Sequence, residues 1–189
     1  MPTYVALTIA DLQAELNKQN AAFANYSDFT TRFARAFNTA LTQYEEQLAQ
    51  ADDIFVRNNT YASPIAIGTA KITTTTGDVY QVTPPTDFRR IAGNGILVSK
   101  AATADFCDVP RMTFDSLITT GSSQTPFAFW EDHGMIMIYD KDGANFDNTS
   151  QVDFSYYRKL DATNSPTSTP LDIKQMDFAD MVSTVLGLM

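Results

Sequence analysis

The sequence predicts an α+β fold: a small helical bundle built from both ends of the chain, with an antiparallel β-meander or sandwich inserted between them. Three observations lead there. Apolar residues recur at spacings of three and four only before residue 53 and after residue 170. Between those limits the composition shifts to Thr, Val, Ile, Gly and Pro, and the helical period disappears. Residues 127–130 and 135–139 are two aromatic and aliphatic runs separated by Glu131-Asp132-His133-Gly134, which reads as a hairpin. Val152, Phe154 and Tyr156, alternating with Asp153, Ser155 and Tyr157, extend it by a further strand.

Taken in order, Thr8 precedes Ile9-Ala10-Asp11. Its hydroxyl caps a helix there, and Asp11 meets the positive end of the dipole. Ile9, Leu12 and Leu16 share one face, and the helix is expected to end near residues 17–20. Ser27 and Asp28 open a second helix, in which Phe29, Phe33, Phe37, Leu41, Tyr44 and Leu48 form a stripe that runs to about Ala51. Its other face, Arg32, Arg35, Asn38, Thr42, Glu45 and Glu46, is expected in solvent. These helices fill residues 1–53, and the β-domain follows over 54–160.

In that domain, residues 65–76 and 79–83 flank Gly77-Asp78 and read as a second hairpin. Neither Pro84 nor Pro85 can donate to a ladder, so residues 84–91 read as a corner leading through Gly93-Asn94-Gly95 into a strand at 96–98. An edge strand is expected near 106–109, a capped helical turn at 113–117 and a polar loop over 119–125. Residues 161–170, dense in turn formers, read as an exposed linker. Residues 171–189 read as a helix capped by Asp172, with Ala179 on its apolar stripe beside Ile173, Met176, Val182, Val185, Leu186 and Met189. That helix either packs on the first two or docks, through its adaptable Met-bearing surface, on a neighbouring subunit; in the second case these last six residues are the candidate interface.

The chain of 189 residues is long enough to bury a core without cross-links. Thirteen basic against 22 acidic residues give a formal charge of -9, which disfavours gripping a phosphate backbone. Cys107 is the single cysteine and His133 the single histidine, so neither an intrachain disulfide nor a Cys/His zinc cluster can form; carboxylate-only metal sites stay open. The start lacks a basic, apolar leader and no window approaches the roughly 20 apolar residues that span a bilayer, so a soluble chain with no membrane partner is expected.

His133, at a hairpin tip, is expected in solvent and not at work as a general base. Nucleophile-elbow, P-loop and dinucleotide fingerprints are missing. Asp140, Asp142 and Asn145 lack the glycine and terminal glutamate of an EF-hand and read as a turn. No carboxylate pair stands out for glycoside hydrolysis, and the triplets at Asn25, Asn58 and Asn148 carry no weight as glycan acceptors without a secretory leader. No catalytic residue, metal or cofactor is expected.

The order of the pieces carries a resemblance. A helical start bearing Phe29, Phe33 and Phe37 is followed by Tyr80-Gln81-Val82-Thr83-Pro84-Pro85-Thr86-Asp87-Phe88. Pro126-Phe127-Ala128-Phe129-Trp130, Gly134-Met135-Ile136-Met137-Ile138-Tyr139, Val152-Asp153-Phe154-Ser155-Tyr156-Tyr157-Arg158-Lys159-Leu160 and a terminal helix come next. Over nearly its whole length the chain resembles the head-to-tail adaptor proteins of tailed bacteriophages. Pro85, Asp87 and Phe88 match that family's corner, Ile138 and Tyr139 its middle strand, and Tyr156 to Leu160 its last strand; Asp140-Lys141 replaces the proline usual after the middle strand.

The resemblance implies a non-enzymatic virion protein at the head-tail junction, made in the host cytoplasm, that forms a ring, usually a dodecamer. Its implied partners are itself, the portal protein and the next tail or ring protein, and genomic DNA passes without sequence-specific binding. The candidate interface residues would then meet a neighbouring subunit or the portal, and the acidic balance would keep DNA from sticking to the passage. A β-sandwich carbohydrate- or receptor-binding module, with Trp130, Tyr156 and Tyr157 as a stacking platform, is the alternative. A hydrolase with an acidic pair in a cleft is a third class.

Overall fold

The computed structural model describes residues 7–25, 27–68, 71–74, 77–100, 105–113, 126–160 and 173–189. Helices and antiparallel strands occupy separate stretches, an α+β fold. The chain divides into two units: Met1–Val56 with Lys159–Met189, and Arg57–Arg158.

In the first unit, α1 (Ile9–Gln19) opens with a full capping box. The Thr8 hydroxyl accepts from the Asp11 N–H at 3.2 Å, and the Asp11 carboxylate accepts from the Thr8 N–H at 2.8 Å. A 3-10 turn (Ala21–Asn25) leads to α2 (Phe29–Gln50), where Phe29, Phe33 and Phe37 stack at 6.0 and 5.9 Å. Asp28 precedes α2 without capping it; its carboxylate pairs with Arg32 at 2.7 Å instead. Glu45, expected in solvent, is buried at 9 % exposure and accepts the Leu160 N–H at 2.6 Å. The last helix, α3 (Phe178–Leu188), starts later than expected, after a 3-10 turn at Gln175–Asp177. It packs on α2 and α1 through Met181, Val182 and Val185, so Met181 replaces Met176 and Ala179 on the stripe.

Among the described residues, the second unit has eleven strands: β1 (Arg57–Asn59), β2 (Ile65–Ala66), β3 (Lys71–Thr74), β4 (Gly77–Val82), β5 (Phe88–Ile91), β6 (Gly95–Ser99), β7 (Phe106–Pro110), β8 (Phe127–Asp132), β9 (Met135–Asp140), β10 (Gln151–Asp153) and β11 (Ser155–Arg158). They form three antiparallel sheets, ordered β1-β11-β5, β2-β10-β6-β7 and β3-β4-β9-β8. Side chains from all three, among them Tyr80, Phe88, Val98, Phe129, Ile138 and Phe154, share one core.

The β8–β9 hairpin turns tightly on His133 and Gly134, both at positive φ (47° and 78°), the twist that suits a two-residue hairpin loop. Glu131 and Asp132 are therefore strand residues. Gly77 and Asp78 also lie in a strand and not in a turn, because Thr74 pairs with Gly77 and Asp78 pairs with Asp140. Ile65, assigned in sequence to the same hairpin, pairs with Val152 in another sheet. The corner after Pro84 is shorter than expected: Phe88 begins β5, whose partner is β11. The strand expected over 152–157 is broken at Phe154, and its halves enter different sheets. The helical turn after Thr113, the loop at 119–125, the linker at 161–170 and the cap Asp172 lie outside the described residues.

Asp140 organises the DKDGAN turn from inside. Fully buried, its carboxylate accepts from the N–H groups of Asp142 (3.2 Å), Asn145 (2.8 Å) and Phe146 (3.3 Å) and from Asn145 Nδ2 (3.0 Å). Gly143, at φ +65°, passes so close that a Cβ there would stand 2.6 Å from Asp78 Oδ2. Replacing Asp140 by Ala orphans several buried donors and is expected to cost about 3 kcal/mol, whereas Asp140→Asn, which keeps one accepting oxygen, costs about half as much; urea unfolding of both variants measures the difference.

Candidate functional site

Both faces of β8 and β9 are apolar. Phe129, Ile136 and Ile138 enter the main core, while Val79, Ala128, Met137 and Tyr139 form a second cluster on the opposite face, with Met112, Trp130 and Met135 at its margin. That face opens into a groove of about 610 Å³ whose lining includes Ile72, Val79, Met112, Trp130 and Met137. Arg111 borders the groove, pairs with Glu131 and lies 5.4 Å over the Phe129 ring. Such a lining offers apolar contact bordered by one ion pair. His133 projects from the hairpin tip with its side chain 94 % exposed, 2.5 Å from the Asp132 carboxylate.

The sheet β1-β11-β5 gathers arginines. Arg57 pairs with Tyr157 and Tyr157 with Arg90, so these three share a face, and the Arg90 guanidinium lies 5.2 Å over the Tyr157 ring. In the next row Tyr156 and Ile91 enter the core, while Asn58 at its edge stays exposed. Tyr156 is buried, donates to Asp87 at 3.0 Å and accepts from Asn58 Nδ2 at 3.0 Å; burial and then Asp87 push its phenol up to about 12. The stacking platform of Trp130, Tyr156 and Tyr157 therefore does not form. Trp130 and Tyr157 stand on different sheets, and Tyr156 is spent in the core.

In the helical unit, Tyr44 clamps the C-terminal segment. Its hydroxyl donates to Asp177 Oδ2 at 2.5 Å and accepts the Lys174 N–H at 3.2 Å, while Lys174 Nζ pairs with Asp53. Burial and the Asp177 carboxylate push the Tyr44 phenol up, and Lys174 holds the Asp53 carboxyl below its usual range. Beside the clamp, between α2 and α3, is a cleft of about 230 Å³ lined in part by Ala40, Leu48, Asp177, Asp180 and Met181.

Of the six residues offered as an interface, Ile173, Val182 and Val185 are buried within the helical unit and form core, not surface. Leu186 and Met189 are half-buried, and only Met176, at 82 % exposure, stands fully open. Sequence reasoning missed Tyr44 as a clamp, Glu45 as an anchor and Arg111 at the groove. Glu45 had a signal, because it continues the four-residue series from Phe33 through Phe37 and Leu41 to Ala49. Among the described residues, no three His, Cys, Asp or Glu side chains gather to hold a metal, and no helix is long and apolar enough to cross a membrane.

No protein-family model matches the chain, and no curated protein matches it.

Asp153 carries the least comfortable carboxyl. It is 9 % exposed, its Oδ1 has no hydrogen-bond partner, and desolvation raises its pKa against the lowering effect of Thr60. A carboxyl raised in the folded state binds its proton more tightly there than in the unfolded chain, so it weakens the fold as pH rises from the unfolded value through the raised one. Asp153→Asn is expected to stabilise the protein by about 1 kcal/mol at neutral pH, with the gain vanishing near pH ~4; thermal melts of both proteins across that range check the sign.

Proposed function

We propose that this chain is a structural subunit that closes into a ring and joins two neighbours, the role of a phage head-to-tail adaptor between portal and tail. The observation that carries the reading is the presence of open apolar surface on both units at once. Ile54 (87 % exposed) and Met176 stand out from the helical unit, and Ile72 stands beside the apolar groove of the β-unit. A contiguous apolar groove marks a surface that association covers, and the exposed side chains of the helical unit supply a second, smaller contact for a connector's other neighbour. The charge of -9 suits a wall past which a polyanion slides, since net negative charge disfavours adhesion to phosphate.

The purified protein, alone and mixed with the portal encoded in the same genome, is expected to add to the portal as a symmetric ring seen by mass measurement and imaging. A chain that stays apart from the portal would sink the reading. Ile54→Asp combined with Met176→Asp, on exposed sites, should shift stability by no more than about 0.5 kcal/mol while weakening that assembly.

A further inference from the structure

We infer that neighbouring copies of this chain meet through opposite charge: the arginine sheet β1-β11-β5 of one copy docks on the acidic cleft between α2 and α3 of the next. This rests on the ring reading and names the contact that closes it. The sign asymmetry lies within one chain. The helical unit holds 11 acidic against 5 basic residues and the β-unit 11 against 8, but within the β-unit β1, β5 and β11 together carry Arg57, Arg89, Arg90 and Arg158, four of the seven arginines, and no acidic residue.

The arginine face is ordered before docking. Arg57, Tyr157 and Arg90 form one cross-strand row and Arg90 rests on the Tyr157 ring, whereas Arg158 pairs with Phe88 in the row of the other face; all four arginines also take part in interactions within their own chain. Guanidiniums already held in place lose less side-chain freedom on binding.

The opposing cleft has the chemistry of a cationic side chain's complement. Ala40, Leu48 and Met181 supply apolar walls for an aliphatic stem, and Asp177 and Asp180, three residues apart at the start of α3, supply the carboxylates. The Tyr44 hydroxyl fixes Asp177 in position, and the exposed Met176 stands next to it in sequence. Because the two surfaces differ and lie on different units of one chain, each copy offers one and uses the other. A head-to-tail contact of this kind closes into a ring when the rotation between copies allows it. Charge complementarity would fix its register and make it sensitive to salt.

The test uses the full chain, with the exposed member of each surface reversed: Asp180→Arg, Arg57→Glu, and the two together. Assembly is followed by mass measurement at low and high salt, alone and on the portal, with circular dichroism and melting temperature as controls for folding. Each single variant is expected to weaken association by about tenfold at low salt, and the double variant to recover to within about threefold of the unaltered chain. Asp180→Arg alone keeps the test decisive if Arg57→Glu lowers the melting temperature. Single variants that assemble like the unaltered chain, or a double variant whose losses add, would overturn the inference while leaving the ring reading standing. An unaltered chain that forms no ring, alone or on the portal, removes both. Arg57→Glu releasing a short DNA duplex that the unaltered chain retains, with assembly unchanged, would make the sheet a nucleic-acid face and also overturn it.

Discussion

Phe154 belongs to no ladder. Its N–H donates to the Thr60 hydroxyl at 2.9 Å and its carbonyl accepts the Thr60 N–H at 3.0 Å, so one threonine satisfies the peptide groups on both sides of the ring. With its backbone provided for, the side chain can turn inward against Phe88 at 5.9 Å and Tyr156 at 5.8 Å. Residues just before it join β2 and β6, and residues just after it join β1 and β5. A sheet needs three or more strands and a covered apolar face to be stable, and this crossing lets three such sheets cover one another in one core. The neighbouring Asp153, with an unsatisfied oxygen, lies one residue from the same crossing.

Buried polar groups do three different jobs here. Asp140 gathers the N–H groups of the turn that follows it, and the adjacent Gly143 leaves room for the Asp78 carboxylate. Glu45 holds the peptide of Leu160, where the chain re-enters the helical unit. Asp153 has no such partner for one of its oxygens. The first two replace water with aimed donors, which makes burial tolerable; the third leaves part of its desolvation unbalanced.

Chemistry-bearing side chains are dispersed among the described residues: His133 is at a tip, Cys107 is half-buried with its thiol pushed up by burial, and the buried Glu45 and Asp140 carboxylates are committed to backbone donors. What the fold gathers instead is an apolar groove on one sheet, a row of arginines on another and an acidic cleft beside a clamped C-terminal helix. Each is assembled from segments distant in sequence, and for that reason none of them was visible as a motif.

Local chemistry is legible in the amino-acid sequence by itself. The Thr8–Asp11 box, the phenylalanine stripe of α2 and the continuous apolar runs of β8 and β9 follow from capping, helical period and burial on both faces, all of which act within a few residues. The α+β class follows from them. Tertiary structure alone decided which strands pair, because a short apolar strand carries no label for its partner: Ile65 finds Val152, and β5 finds β11. It also decided the fate of single polar and apolar residues. Glu45 went inside because Leu160 brought a donor to it, while Met176 stayed outside because α3 begins two residues later. Periodicity predicts which face of an element is buried, but the element's ends and the donors that arrive from elsewhere are set only when the chain closes on itself.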